Sequence, residues 1–265
     1  MKKTEINLKP NGSCLLFVAN SAIPIDNIKL LRESEQEKIA QSVLDAADKN
    51  WRILKSANPR AFNGELLNLK RARLQGNLLY IDANLTNYKT YAHLINQPDY
   101  CLFDKGIAVL GMSCILITKD KKIVLASRGK GLFGAGKLYC IPAGMFNNNY
   151  KNFEELIVSE AEEETGMTQN EISSIKFHGI GYDSIMKGAE FLFSLTTELT
   201  ADEVIKKHSK AKDRTEALSL EHVPIKELAE YVKNNKLRLM DSAIANILAY
   251  LQHQESEKSV SGGTA

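Results

Sequence analysis

The sequence lacks an excess of charge of either sign. Its 34 lysines and arginines nearly balance 32 aspartates and glutamates, leaving a net charge of +2, and the lysines are scattered along the chain. Proteins that bind nucleic acid or a membrane surface usually concentrate basic residues on one face. The sequence therefore predicts neither nucleic acid nor a membrane among the partners.

Long hydrophobic runs and paired cysteines are also missing. After the basic start Met1-Lys2-Lys3, the next apolar run spans only Cys14 to Ala19, which is too short and too late for a signal peptide. No run approaches the length of a membrane-spanning helix. The four cysteines form no CxxC pair, so we interpret them as reduced thiols of a cytoplasmic protein. They are Cys14, Cys101, Cys114 and Cys140.

What is present is the composition of a globular protein that buries a core, with 44% hydrophobic and 25% charged residues. From Glu33 to Ser56, apolar residues recur at intervals of three and four, which predicts an amphipathic helix. Strands are predicted at Leu66 to Leu74 and Leu78 to Ala83, and a short helix at Tyr88 to Ile95. Residues 1–104 thus predict a small α+β domain.

A second domain is predicted over residues 105–252, where strands and helices follow one another. The last residues, 253–265, are rich in Ser, Glu, Lys and Gly, which predicts a disordered tail. The predicted strands are Val109 to Thr118, Ile123 to Ala126, Leu138 to Pro142, Ile175 to Gly179, Glu190 to Thr197 and Ala217 to His222. The predicted helices are Asn152 to Glu164, Ile225 to Val232 and Met240 to Leu251, with Gly166 as a C-terminal cap.

The densest chemical signal is the carboxylate set Glu160, Glu163 and Glu164. At positions i, i+3 and i+4 of a helix these side chains share one face, where like charges cost a few tenths of a kcal/mol per pair, roughly. A bound cation relieves that repulsion. Carboxylate oxygens suit Mg²⁺ or Mn²⁺, which also bridge phosphate oxygens. A solvated acidic face is the alternative interpretation.

The surroundings of this face resemble the Nudix box, G-x5-E-x7-R-E-U-x-E-E-x-G-U, in which U is aliphatic. Gly144, in the loop Ile141-Pro142-Ala143-Gly144, matches the first glycine, and residues 160–167 match the last eight positions. The resemblance implies an α/β fold, with a Nudix α/β/α sandwich after the smaller N-terminal α+β domain. It also implies that Glu160, Glu163 and Glu164 bind Mg²⁺, together with a carbonyl at Ala143.

The chain departs from the box at two supporting positions. Ser159 stands in place of the arginine, and Tyr150 or Lys151 in place of the first glutamate, while the segment from Gly144 to Glu160 is one residue longer than the pattern. In the family that arginine and glutamate form an ion pair behind the metal. Their absence predicts either a different support for the site or a weakened activity.

Two further residues are candidates for the same site. Arg128 closes a predicted strand, a position from which family members reach substrate phosphates, although a surface arginine is an equal alternative. Glu216 precedes a predicted strand and helix, a context in which the family places another metal-binding or basic glutamate. Pyrophosphate hydrolysis needs both an activated water and positive charge, which such residues supply.

Two glycine motifs do not carry nucleotide-binding predictions. Residues 129–134 spell GxGxxG, but the sequence that follows predicts a strand and not a helix. Residues 131–137 spell GxxxxGK, but Leu138 stands where that motif needs Ser or Thr. We interpret this stretch as a flexible loop beside the site.

The first section carries two short elements that resemble the UDP-glucose/UDP-galactose hydrolase branch of the Nudix family. They are Asn58-Pro59-Arg60-Ala61-Phe62-Asn63-Gly64 and Leu85-Thr86-Asn87-Tyr88-Lys89. The resemblance implies hydrolysis of UDP-glucose or UDP-galactose to UMP and the sugar 1-phosphate. It also implies that five residues order the domain interface or the substrate pocket: Arg60, Phe62, Asn63, Thr86 and Tyr88. A local turn is the alternative for Asn63-Gly64.

Two other functions stay open at this point. One is a pyrophosphatase of the ADP-ribose type. The other is a catalytically weak Nudix domain kept as a nucleotide-binding or interaction module, which the missing arginine and glutamate favour. In each case a small nucleotide is the expected ligand, and the sequence predicts no oligomeric state.

Overall fold

The computed structural model describes residues 4–6, 14–59, 61–97, 107–130 and 132–261. Its strands are β1 Thr4–Glu5, β2 Leu15–Pro24, β3 Ile28–Gln36, β4 Glu65–Gln75, β5 Leu78–Asn87, β6 Leu110–Ile117, β7 Lys122–Arg128, β8 Leu138–Cys140, β9 Ala143–Met145, β10 Ile172–Asp183, β11 Gly188–Thr197 and β12 Ala217–Pro224. Its helices are α1 Gln41–Ala57, α2 Tyr88–Ile95, α3 Phe153–Thr165, α4 Ala201–His208, α5 Leu228–Asn235 and α6 Asp241–Ser261.

The larger sheet is mixed and has the strand order β12-β7-β6-β11-β10-β2. Strands β6 and β11 are parallel, and the other pairs are antiparallel. Helix α6 packs against strands β2, β6, β10 and β11 of this sheet. The predicted α/β fold class is therefore confirmed.

Two short strands occupy the place where β6 and β7 diverge. Strand β6 pairs with β9 along residues 111–113 and with β7 only at Leu116 and Ile117. Strand β7 in turn pairs with β8 along residues 125–127. Strands β8 and β9 are joined by Ile141 and Pro142 through a cis peptide bond. This divergence opens the sheet and forms the floor of the cavity described below.

The smaller sheet has the order β1-β4-β5-β3 and is joined to the larger one by backbone hydrogen bonds. The amide of Leu67 donates to the carbonyl of Phe146 over 2.8 Å, and that of Leu69 to Ala108 over 2.7 Å. Helix α2 follows β5 directly, because Asn87 caps it by accepting from the amide of Thr90. The smaller sheet thereby holds α2 beside the larger sheet.

The first hundred residues differ from the prediction in two respects. The predicted helix from Glu33 begins only at Gln41, because residues 28–36 form strand β3 beside β5. Strand β2 pairs with β10, so it belongs to the larger sheet and not to a separate N-terminal unit. The predicted domain boundary at residues 104 and 105 lies outside the described residues. Strands β4 and β5 and helix α2 follow their predicted positions.

The predicted disorder from residue 253 is wrong as far as Ser261, because α6 continues to that residue. His253 is 3% exposed and its Nε2 lies 2.6 Å from the carbonyl of Ala19 in β2. This contact ties the helix to the sheet. Across the described residues, no helix combines the length and apolar character that spanning a membrane requires.

Helix α4 was not predicted, although its N-terminus carries a sequence signal. Thr200 and Glu203 form a capping box, in which each side chain meets the other's backbone amide. The helix packs against α3. His208 at its end is buried, and its Nδ1 donates to the carbonyl of Glu164 over 2.7 Å. Helix α4 therefore fixes the C-terminal end of the carboxylate helix.

Candidate functional site

Helix α3 is delimited by local signals at both ends. Asn152 accepts from the amide of Glu155 at the start, over 2.9 Å. Gly166 ends the helix with a φ of 73°, in the left-handed region that favours glycine, and its amide donates to the carbonyl of Glu162. These ends match the predicted helix within one residue, so the three glutamates lie on one helix as expected.

A cavity of about 390 Å³ lies where β6 and β7 diverge. Every candidate site residue from the sequence lines it except Arg60, which lies outside the described residues. Those in the cavity wall are Tyr88, Arg128, Ala143, Glu160, Glu163, Glu164 and Glu216. The structure thus brings together residues from five separate stretches of the chain.

Glu160 is packed tightly against the backbone of Gly144. A Cβ at residue 144 would lie 2.3 Å from Glu160 Oε1, so only glycine leaves room for this carboxylate. Burial raises the pKa of Glu160 to about 8, with further contributions from the charges of Glu164 and Glu163. The carboxylate is therefore held in a place where its own negative charge is costly.

Glu164 is 2% exposed and connects α3 to β8 and β9. Its Oε1 accepts from the Tyr139 hydroxyl over 3.0 Å and its Oε2 from the Ala143 amide over 2.9 Å. Burial raises its pKa to about 8, against the lowering effect of these two hydrogen bonds. The Ala143 contact runs through its amide, an interaction that the sequence did not predict.

Glu163 is the most accessible of the three glutamates. Its carboxylate forms an ion pair with Lys212 Nζ at 3.0 Å, and its backbone carbonyl accepts from the Asp213 amide over 2.9 Å. Burial raises the pKa of Asp213, and the hydrogen bond to Glu163 raises it further. The loop before β12 is therefore docked on the end of α3, which adds a fourth carboxylate to the group.

Glu216 and Arg128 reach the cavity through the pairing of β12 with β7. The Gly129 amide donates to the Glu216 carbonyl over 2.7 Å, and a Cβ at Gly129 would lie 2.4 Å from the carbonyl of Thr215. Glycine is thus required where the two segments cross. Glu216 lies at the exposed rim of the cavity.

Arg128 brings positive charge to a cavity whose wall is otherwise rich in carboxylates. Its guanidinium lies over the Tyr139 ring, 5.0 Å from the centroid, and its Nε donates to the Phe133 carbonyl over 2.9 Å. Within the described ranges it forms no ion pair at 4 Å or less. The position of its head is fixed by these contacts, and its charge remains available to a ligand.

The missing arginine and glutamate of the box are replaced by other contacts. The Tyr150 hydroxyl donates to Ser159 Oγ over 3.3 Å, and the Lys151 amide donates to Glu155 over 2.7 Å. Arg32 from β3 donates to Asn148 Oδ1 over 2.7 Å and to the Tyr150 carbonyl. The smaller sheet thereby supports the loop before α3, which agrees with the predicted change of support.

The two N-terminal elements contact each other. Asn63 Oδ1 accepts from the Lys89 amide over 2.7 Å, and the Tyr88 amide donates to the Gly64 carbonyl. Phe62 is 79% exposed and Thr86 is buried. Asn63 therefore joins the two elements rather than forming a local turn, and Tyr88 reaches the cavity wall.

Sequence reasoning missed a second acidic pair in the cavity wall, Asp183 and Glu190. Glu190 stands in the apolar run Gly188–Thr197, and its position there is the one available sequence signal. Asp183 is 1% exposed and accepts from the amides of Ile185 and Met186. Its carboxylate therefore shapes the loop between β10 and β11.

The donor chemistry of the cavity fits a hard divalent cation. Carboxylates gathered on α3 and on the loop before β12 repel one another, and Mg²⁺ or Mn²⁺ would offset that charge. Among the described residues, however, no three His, Cys, Asp or Glu side chains already converge as a ligand group. Binding a cation there requires side-chain movement, most simply release of Glu163 from Lys212.

No protein-family model matches the chain, and no curated protein gives a significant match. Among solved structures, Tm1382, a candidate Nudix hydrolase, shares 12% identity over 62% of this chain and 84% of its own, with a TM-score of 0.40. A bifunctional NMN adenylyltransferase/ADP ribose pyrophosphatase from Francisella tularensis, complexed with AMP and a Mn ion, shares 16% over 55% and 41%, with a TM-score of 0.38.

NrtR from Shewanella oneidensis, complexed with a 27mer DNA, is another similar structure. It shares 14% identity over 57% of this chain and 62% of its own, with a TM-score of 0.36. At such low identities and TM-scores, these likenesses leave membership of the Nudix family a prediction. The expectation that this chain binds no nucleic acid stays a prediction as well.

Proposed function

We propose that this cavity hydrolyses the diphosphate linkage of a nucleoside diphosphate compound, as a Nudix hydrolase does. The observation that carries the proposal is the shared cavity of the α3 glutamates and Arg128. The carboxylates supply metal ligands and a proton acceptor, and Arg128 supplies fixed positive charge toward phosphate oxygens. Neither set alone would suit a diphosphate.

The proposed reaction is attack of water on one phosphorus. The water oxygen forms a bond to that phosphorus, and the bond from the same phosphorus to the bridging oxygen breaks. The bridging oxygen leaves with the other phosphoryl group, and the proton of the water passes to a carboxylate. Glu216, exposed at the rim of the cavity, is the proposed base or an additional ligand.

Glu160, Glu163 and Glu164 are the residues proposed to hold Mg²⁺, or Mn²⁺ in its place. When bound, the ion would neutralise phosphate charge and lower the pKa of the attacking water. The carbonyl of Ala143 is proposed as a further ligand. Tyr139 and the Ala143 amide orient Glu164 from behind, as supporting groups around metal ligands commonly do.

UDP-glucose and UDP-galactose are the first substrates proposed, with UMP and sugar 1-phosphate as products. Support comes from the two N-terminal elements, which contact each other and place Tyr88 in the cavity wall. Compounds of the ADP-ribose type are the rival substrates. Arg60 is proposed to contact substrate on the motif resemblance alone.

A second candidate function is a nucleotide-binding or interaction module with weak activity. The observation that favours it is the ion pair of Glu163 with Lys212, together with the lack of a ready three-ligand group in the described chain. In that case nucleotides would bind to the cavity without turnover.

One experiment separates these functions. Purified protein is incubated with Mg²⁺ and UDP-glucose, UDP-galactose, ADP-ribose or a dinucleoside polyphosphate, and nucleoside monophosphate is measured. Release from a UDP-sugar supports the first proposal. Release from ADP-ribose but not from UDP-sugars would overturn only the substrate assignment. Nucleotide binding without any release would favour the module.

A further inference from the structure

Glu190 lies on the sheet floor of the cavity, apart from the α3 glutamates. It is paired in β11 with Gly111 of β6, and Gly111 is paired in turn with Met145 of β9. Residues paired in register point to the same face of a sheet, so Glu190 and Met145 face the same side, with Gly111 between them. A Cβ at Gly111 would lie 2.3 Å from Glu190 Oε2. Like Glu160, this carboxylate occupies space that a glycine leaves free.

The surroundings of Glu190 contain no cation that pairs with it. Its described contacts give it a hydrogen bond with Ser113 and no ion pair at 4 Å or less. Burial and the charge of Asp183 raise the pKa of Glu190 to about 8, against the lowering effect of the Ser113 hydrogen bond and of Arg128. A phosphate at this position would meet two carboxylates, so the part of a ligand that faces Glu190 must instead carry hydrogen-bond donors.

The same part of the cavity is lined by apolar and aromatic side chains. The Tyr91 hydroxyl donates to the Met186 carbonyl over 2.5 Å, which fixes the loop after β10. Thioethers and aromatic rings give polarisable contacts that suit a flat ring. Those that are not fully buried are Tyr88, Met145 and Met186.

We propose that Glu190 contacts the base of the ligand and accepts a hydrogen bond from its N–H or amino group. This inference rests on the proposed function, because it takes the ligand to be a nucleotide. Tyr88, Met145 and Met186 would flank the base, while Arg128 and the α3 glutamates face the phosphates. This arrangement divides the cavity into a base end and a phosphate end, and Glu190 becomes a determinant of substrate choice.

The test measures binding and not turnover, so it does not depend on whether the cavity hydrolyses diphosphates. Isothermal titration calorimetry without metal compares UMP, AMP, GMP, CMP and ribose 5-phosphate on three proteins: wild type, Glu190→Gln and Glu190→Met. At least one mononucleotide is expected to bind wild type, and to bind Glu190→Met about tenfold more weakly, because the hydrogen bond to the Glu190 carboxyl is lost. Ribose 5-phosphate, which has no base, is expected to bind all three proteins equally.

Thermal unfolding of the same proteins separates a recognition role from a structural one. Desolvation makes the charge of Glu190 costly in the folded state, so both substitutions are expected to raise Tm while they weaken binding. Glu162→Gln, on the exposed side of α3, is the control and is expected to change neither quantity. The proposal is overturned if no mononucleotide binds wild type, if the Glu190 variants bind mononucleotides as wild type does, or if ribose 5-phosphate loses affinity equally.

Discussion

The carboxylate of Glu160 occupies the space where residue 144 would have its Cβ. Oε1 of Glu160 would lie 2.3 Å from that atom and Cδ 2.5 Å, whereas Gly144 itself lies outside the set of glycines with a positive φ. The backbone at residue 144 therefore tolerates alanine. What alanine would displace is the end of the Glu160 side chain.

The first prediction follows from this contact. Gly144→Ala is expected to lower kcat/KM at least tenfold, about 1.4 kcal/mol, because Glu160 loses its position while the fold is kept. Turnover and Tm are measured on the same preparations, and Tm is expected to stay close to wild type. Wild-type turnover in this variant would show that the position of Glu160 is irrelevant to catalysis.

Arg128 gives the second prediction. Arg128→Ala is expected to lower kcat/KM by about a hundredfold, since positive charge opposite developing phosphate charge is lost. Arg128→Lys should recover only a small part of the lost kcat/KM, because lysine cannot keep both the hydrogen bond to the Phe133 carbonyl and the stacking on Tyr139. Arg52→Ala, an exposed position on α1, serves as the control. Equal losses of kcat/KM in Arg128→Ala and Arg52→Ala would contradict the proposed role of Arg128 at the phosphates.

The third prediction concerns the buried pair of His178 and His253. Their Nδ1 atoms lie 2.6 Å apart. His253 Nε2 donates to the Ala19 carbonyl, so its neutral ring accepts at Nδ1 and His178 donates there. His178 Nε2 then accepts from the Ser194 hydroxyl. This arrangement is complete only with both rings neutral.

Burial, followed by the charges of His253 and Lys176, lowers the pKa of His178 to about 3. Between that value and its unfolded value of about 6.5, the unfolded chain binds more protons, so stability falls as the pH falls. Urea unfolding is expected to show a loss of up to about 1.4 kcal/mol per pH unit from this group. His178→Gln should reduce the slope, while His222→Gln, at an exposed position, should not. An unchanged slope in His178→Gln would contradict the assignment.

The carboxylate helix was predictable because its information is local. The spacing of Glu160, Glu163 and Glu164 fixes their common face, and Gly166 marks the end of the helix in the sequence itself. Tyr88 and Glu216 were placed at the site by resemblance, and the structure brings both to the cavity wall. Their roles there remain proposals.

The features that could not be predicted from the sequence depend on contacts between residues far apart in the chain. Strand β2 has few sequence signals of its own and is defined by its pairing with β10, which follows it in the chain only after α3. Arg32 supports the loop before α3 from another sheet, so no residue near Ser159 in the sequence indicates this contact. The place of Glu190 in the cavity depends on Gly111, which lies opposite it because β11 pairs in parallel with β6.

The fourth prediction tests the central claim most directly. Release of nucleoside monophosphate from UDP-glucose and ADP-ribose is measured with and without Mg²⁺ for wild type, Glu163→Gln, Glu164→Gln and the exposed control Glu162→Gln. Wild type and Glu162→Gln are expected to release monophosphate only with Mg²⁺. Glu163→Gln and Glu164→Gln are expected to release it at least about a hundredfold more slowly. Release that persists at the wild-type rate in both Glu163→Gln and Glu164→Gln would contradict the account.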